Sequence, residues 1–149
     1  SDVYKRQMIT RLYEASQAGV EIDLIVRGIC CLIPGQTYSR NIRVTRIVDT
    51  FLEHARIWYF GNGGNPKLFL GSPDWMRRNL YRRIEAVTPI LDPDAKQELI
   101  DMLSIQLSDK RKACFVDENL RNCWKSAHPQ KEKVRSQYTF YEYLKEKTE

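Results

Sequence analysis

An α/β layered domain, a mixed β-sheet flanked by helices, is what this sequence predicts, on three observations. Apolar residues recur at helical spacing in three long segments. Short β-branched and aromatic runs lie between them, as strands require. The two kinds of segment interleave along the chain, which is the mark of helices layered on both faces of a sheet.

Taken in order, residues 4–18 place Tyr4, Met8, Leu12 and Ala15 on one helical face, and Gly19 supplies a stop. The continuous apolar run EIDLIVRGICCLI (21–33) predicts a buried strand, followed by a loop over 34–41. IRVTRIV (42–48), RIWYF (56–60) and KLFLG (67–71) predict three more strands, the last two joined through GNGGNP (61–66). DWMRRNL (74–80) predicts a helical turn capped by Asp74, and RRIEAVTPI (82–90) a strand ending at Pro89. Asp92 and Pro93 then open a helix whose buried stripe is Ala95, Leu99, Leu103 and Leu107. KACFV (112–116) predicts an edge strand. Val134, Tyr138, Tyr141 and Leu144 give the closing helix its apolar face.

At 149 residues, 42% hydrophobic and 29% charged, the chain has the length and composition of one globular domain, residues 1–149. No apolar run approaches the ~20 residues of a membrane span. The chain opens at Ser1 without an initiating Met, which predicts a fragment of a longer protein, with residues 1–7 as candidates for a non-native lead. The four cysteines match no zinc spacing, and the adjacent Cys30 and Cys31 read as buried reduced thiols of a cytosolic protein. There is no GxGxxG and no GxxxxGK[ST], so neither dinucleotide nor P-loop nucleotide binding is supported.

The net charge of +5 is local. From Arg40 to Arg83, nine basic residues stand against Asp49, Glu53 and Asp74 alone, so the rest of the chain is slightly acidic. A polyanion is the natural partner of such a stretch, the alternative being a solvated basic face. Within it lies His54, one of two histidines. Imidazole exchanges protons near neutrality, whereas arginine binds phosphate oxygens through a fixed, permanently charged fork. One proton-exchanging group among permanent cations suits phosphoryl transfer, in which positioning and charge neutralisation carry the catalysis. A packed or surface histidine is the plainer alternative. Trp58, Tyr59 and Phe60 read as core residues, and His128 as a loop residue without a role.

His54-Ala55-Arg56 followed by Gly71-Ser72-Pro73-Asp74 resembles the H-x-K…G-S-x-N pattern of the phospholipase D superfamily, with Arg56 in the Lys place and Asp74 in the Asn place. Gly61 stands where that motif carries Asp. The longer strings EIDLIVRGICCLIPG, NIRVTRIVDTFLEHARIWYFGNGG and GSPDWMRRNLYRRIEAVTPI, with LDP and KVRSQ further on, resemble the C-terminal catalytic domain of bacterial polyphosphate kinase, the ATP-dependent, histidine-phosphorylating type. The resemblance runs from about Leu12 to the end. Thr50, Arg40 and Pro73 depart from the usual family text, and Pro73 removes a backbone donor from its loop.

The resemblance implies a phospholipase-D-like fold and an enzyme that reversibly moves the terminal phosphate of ATP onto inorganic polyphosphate. It implies a phosphohistidine carried on a preceding domain, with this chain as the second phospholipase-D-like domain. Carried over, Arg27 of the VRG segment contacts nucleotide phosphate, and His54 sits across the transferred phosphoryl group as acid or electrostatic partner. Arg56, Ser72 and Asp74 form a supporting shell. Magnesium is implied with ATP, held mainly by residues outside this chain, and no metal ligand is assigned here. Also implied are ATP, ADP and polyphosphate as partners, a homo-oligomeric full-length enzyme with no specific nucleic acid, and a cytoplasmic location with membrane association of the full complex left open. Two other readings stay open on the residues alone: a phospholipase-D-type phosphodiesterase or nuclease acting as a dimer, and a non-enzymatic polyanion-binding module. Without the resemblance, Arg27 reads as a strand-end residue paired with Asp23 or Glu21.

Overall fold

The structure, a computed structural model, describes residues 2–148; for residues 2–5, 77, 78 and 80 it describes the backbone alone. Helix α1 (Asp2–Gln17) leads through Gly19, whose φ of +91° ends the helix, into strand β1 (Ile22–Ile25). Strand β2 (Ile42–Ile47) pairs with β1 in parallel, Leu24 opposite Val44. Strand β3 (Ile57–Phe60), β4 (Lys67–Gly71), helix α2 (Arg77–Arg82) and β5 (Val87–Pro89) follow. Helix α3 (Pro93–Ser108), strands β6 (Ala113–Val116) and β7 (Asn122–Trp124), and helix α4 (Ser136–Thr148) complete the order.

The expected α/β class therefore stands, with its strands divided between two sheets. One is mixed and four-stranded, in the order β1-β2-β6-β7; the other is antiparallel and three-stranded, β3-β4-β5. The core lies on the first. Leu32, Ile42, Val44 and Val116 are buried there, and Ile9, Leu12 and Tyr13 of α1 pack over them. Burial of each such aliphatic side chain stabilises by about 1.5–3 kcal/mol. Polar groups fix the docking of α1: buried Ser16 accepts the Asn41 N–H at 3.2 Å, and the Asn41 amide donates to the Ser16 carbonyl at 2.8 Å.

Several elements differ from expectation, each for a local reason. β1 stops at Ile25 instead of reaching residue 33, because Arg46 draws the chain into a bend, donating from Nη2 to the Gly28 carbonyl at 3.0 Å. Cys31 is consequently exposed and Cys30 half-buried, its thiol pushed up by burial; all four cysteines are free. Residues 112–116 do not form an edge. β7, unrecognised in the sequence, pairs outside β6 after a tight turn in which the Asp117 carboxylate accepts the N–H groups of Asn119 and Arg121. The strand expected over 82–90 is confined to Val87–Pro89, since α2 extends to Arg82. On α3 the Asp92 cap holds, accepting the Ala95 N–H at 2.8 Å, and Leu99 and Leu103 are half-buried, whereas Ala95 and Leu107 are exposed. On α4 the inward side is Phe140, Tyr143 and Leu144; Tyr138 and Tyr141 are exposed, and Val134 precedes the helix. Tyr143 turns inward because its hydroxyl donates to Asp101 of α3 at 2.6 Å.

Two contacts place the segments that matter for function. The Asp109 carboxylate, fully buried at the C-terminus of α3, accepts the N–H groups of Arg111 and Lys112 through Oδ1 and of Ser136 through Oδ2, at 2.7–2.8 Å. It thereby joins the end of α3, the approach to β6 and the start of α4. Arg135, one residue earlier, grips Asp49 with both carboxylate oxygens, at 2.8 Å from Nε and 2.6 Å from Nη2. The Asp49 side chain is only 1% exposed, and hydrogen bonding from Arg135 holds its carboxyl below the usual range.

In the second sheet, Gly71 is a site of close approach. A Cβ there would lie 2.6 Å from the Trp58 ring and 3.0 Å from the Ala86 carbonyl oxygen. Gly71→Ala should lower stability by about 1–3 kcal/mol, since the indole has no slack to give; urea unfolding should show the loss, reduced when Trp58→Phe is added. Asp49 gives a prediction of opposite kind. A depressed folded pKa contributes stability above the unfolded carboxylate value of about 3.9, and that stability is lost as pH falls through the folded pKa. The stability gap between the wild type and Arg135→Gln should therefore be wide at neutral pH and narrow below about pH 4, as followed by circular dichroism across urea titrations at each pH.

Candidate functional site

β1 and β2 run parallel, so their C-terminal ends leave the same edge of the sheet. In open α/β sheets this is the edge at which ligands are bound. From β1 the chain passes to Arg27, two residues past the strand, and from β2 to the irregular segment 48–56 that carries His54. A cleft of about 240 Å³ opens between them, lined by Arg27, by residues 47–53 and by Gln137. His54 does not line this cleft, but it directly follows Glu53, which does. Both Arg27 and His54 are exposed, so neither is shut in the interior.

Arg27 is not held by Asp23 or Glu21. Those carboxylates are taken by Arg43, whose Nε and Nη2 meet Asp23 at 2.7 and 3.0 Å and whose Nη1 meets Glu21 at 2.9 Å. Among the described residues Arg27 makes no hydrogen bond or ion pair, which leaves its fork open to an anion. Arg46 has a structural task, donating to the carbonyls of Val26 and Gly28 and to Asn122. Arg43 and Arg46 of the basic stretch are thus used inside the fold; the side chains of Arg77 and Arg78 lie outside the described residues.

His54 is framed by Arg56. The guanidinium runs along the nitrogen edge of the imidazole, Nη1 at 3.0 Å from Nδ1 and Nη2 at 3.3 Å from Nε2, while Nη1 also donates to the His54 carbonyl at 3.0 Å. A neutral imidazole has one accepting nitrogen, so its tautomer decides which contact is a hydrogen bond. Asp74 Oδ1 fixes Arg56 from the other side, accepting from Nε at 3.0 Å and from Nη2 at 2.9 Å. That use explains why Asp74 does not cap α2, whose N-cap is Met76. Arg56 and Asp74 are therefore brought to His54, as the H-x-K…G-S-x-N resemblance expects.

Ser72 is held one step away. Its hydroxyl donates to Glu85 Oε2 and accepts the Ala86 N–H at 3.1 Å, and the Asn79 amide donates to Glu85 Oε1 at 2.7 Å. Hydrogen bonds from Ser72 and then Asn79 lower the Glu85 carboxyl from its usual value, and the Arg83 and then the Arg56 charge lower it further. Glu85 is a site neighbour that the sequence did not disclose, since it lay within a presumed strand. Buried Asn79 leaves its Oδ1 without a hydrogen-bond partner among the described residues. Trp58 is half-buried against Gly71, but Tyr59 and Phe60 are exposed rather than core, because the three-stranded sheet leaves part of its surface uncovered. No group of three or more His, Cys, Asp or Glu side chains among the described residues is placed to hold a metal ion. No helix among them is long and apolar enough to cross a membrane.

Comparison with known proteins gives a consistent result. The family model described as "Polyphosphate kinase C-terminal domain 2" matches residues 2–137. A polyphosphate kinase of Synechocystis is 59% identical over 108 residues, covering 72% of this chain and 15% of that protein. The polyphosphate kinase of Escherichia coli K12 is 44% identical over 146 residues, 97% of this chain and 21% of the relative. The crystal structure of polyphosphate kinase from Porphyromonas gingivalis superposes with a TM-score of 0.90 at 57% identity, over 95% of this chain and 22% of that one. The chain thus spans about a fifth of the length of these relatives. With its α/β layers in the phospholipase-D-like arrangement of that structure, this chain belongs to the polyphosphate kinase C-terminal domain 2 family.

Proposed function

We propose that residues 1–149 act as one unit, the second phospholipase-D-like domain of a polyphosphate kinase that reversibly transfers the terminal phosphate of ATP to inorganic polyphosphate. The observation that carries this reading is Arg27, exposed and unpaired among the described residues, leaving the same sheet edge as the segment that bears His54. A free guanidinium there suits nucleotide phosphate oxygens, and the imidazole borne by that segment suits charge developing on the phosphoryl group in flight.

In this scheme a histidine nitrogen on a preceding domain attacks the γ-phosphorus of ATP; the bond to the bridging oxygen breaks, its electrons leave with ADP, and a P–N bond forms. A terminal oxygen of polyphosphate then attacks the same phosphorus, and the P–N bond breaks. Arg27 holds nucleotide phosphate throughout. His54 meets the transferred group as acid or electrostatic partner, Arg56 and Asp74 fix the imidazole, and Ser72 is fixed in turn by Glu85. Magnesium accompanies ATP, with its ligands mainly outside this chain. We place the enzyme in the cytoplasm as a homo-oligomer.

The test is made in the full-length enzyme, with radiolabelled ATP and gel analysis of the polyphosphate formed. His54→Ala should lower kcat by at least about a hundredfold, because it removes a group that acts on the transferred phosphoryl. Arg27→Ala should raise KM for ATP about tenfold or more, as expected for loss of a charge-assisted phosphate contact. The 149-residue chain alone should acquire no acid-labile, base-stable phosphate from ATP; strong labelling of His54 would overturn the division of labour between domains. Cleavage of a generic phosphodiester by the isolated chain, lost in His54→Ala, would replace the kinase reading with a hydrolytic one.

A further inference from the structure

The segment 48–56 contains no regular secondary structure, so no strand ladder fixes the position of His54. Its backbone and side chains are instead held by helices that precede and follow in space. Gln137, in the first turn of α4, satisfies both backbone polar groups of one residue: its Oε1 accepts the Phe51 N–H at 2.9 Å and its Nε2 donates to the Phe51 carbonyl at 2.7 Å. Arg135 holds Asp49 with two hydrogen bonds and adds a third to the Thr50 hydroxyl at 2.9 Å. Gln106 of α3 donates to the Glu53 carboxylate. Asp49, Thr50, Phe51 and Glu53 are thus each fixed by a residue more than fifty positions away, and His54 is next in line.

From this geometry we infer that Arg135 and Gln137 are positioning residues for His54, forming a clamp at the N-terminus of α4 that sets where the imidazole stands after the segment that lines the Arg27 cleft. The inference rests on the kinase reading for its catalytic consequence, but the clamp itself is a property of this chain. Neither residue touches His54, so each acts through residues 49–51, Arg135 by the side chains of Asp49 and Thr50 and Gln137 by the backbone of Phe51. Gln137 is the sharper probe. It lines the cleft, it carries no charge, and its removal strands one N–H and one C=O in a segment that water can reach. Arg135 also compensates the enclosed Asp49 carboxylate, so its loss is expected to cost fold stability as well.

Two measurements on the same variants decide the inference. The chain has two histidines, so the imidazole Hε1 proton resonances of His54 and His128 are readily told apart by NMR after His54→Gln removes one of them. In the 149-residue chain, Gln137→Ala should move or broaden the His54 resonance and leave that of His128 unchanged; Arg135→Lys, which keeps a cation near Asp49, should do the same to a smaller degree. In the full-length enzyme Gln137→Ala should lower kcat between about ten- and a hundredfold, the range expected for a displaced catalytic group, with KM for ATP changed less than about twofold because Arg27 is untouched. A merely structural role would lower the melting temperature without this kcat-against-KM split. An unmoved His54 resonance in both variants overturns the clamp. A moved resonance in an enzyme whose wild type makes no polyphosphate leaves the clamp standing and removes the kinase reading.

Discussion

The buried carboxylate of Asp109 is the constraint on which the placement of the site depends. It accepts three backbone N–H groups from two separate parts of the chain, and a fully buried carboxylate persists only when hydrogen bonding replaces its lost water. By fixing the peptide at Ser136 it fixes where α4 begins. Arg135 and Gln137 then stand at a defined distance from the loop after β2, and that loop brings Glu53, the residue before His54, into the cleft that Arg27 lines. Charge, hydrogen bonding and topology form one chain of cause here: a helix end is set by a carboxylate, a loop by the helix end, and an imidazole by the loop.

The fold was legible where local signals agree with one another. The Asp92-Pro93 start of α3, the Gly19 stop of α1 and the alternation of β2 each express a rule that acts over a few residues, and each is found. β1 was overextended because an apolar run does not reveal that Arg46 will bend it at Gly28, a contact made across eighteen positions. β7 escaped notice because RNCWK has no alternation of its own; it is a strand only because Asp117 closes a turn that returns the chain to β6. The face of α4 was misjudged in the same way, since the hydroxyl of Tyr143 finds Asp101 and turns the helix away from the side suggested by Tyr138 and Tyr141.

For the site, the sequence marked His54, Arg56 and Asp74 through spacing, and the structure brings these three together. It could not mark Glu85, Gln106, Arg135 or Gln137, because such polar side chains are ordinary on any surface and acquire meaning only from the atoms they reach. The same limit applies to charge. A run of basic residues suggested one broad cationic surface, yet Arg43, Arg46 and Arg56 each engage partners within the fold. Arg27 differs from these three in that, among the described residues, no hydrogen bond or ion pair engages it.

The close seat of the Trp58 indole on Gly71 links the two arms of the phospholipase-D-like motif. Gly71 N–H also donates to the Arg56 carbonyl at 3.1 Å, so the end of the His54 arm and the start of the Ser72 arm are stitched to each other. A shift of one strand past the other would break this hydrogen bond and drive the backbone at Gly71 against the indole that already fills the space over it. The two halves of the motif therefore travel as one rigid jaw.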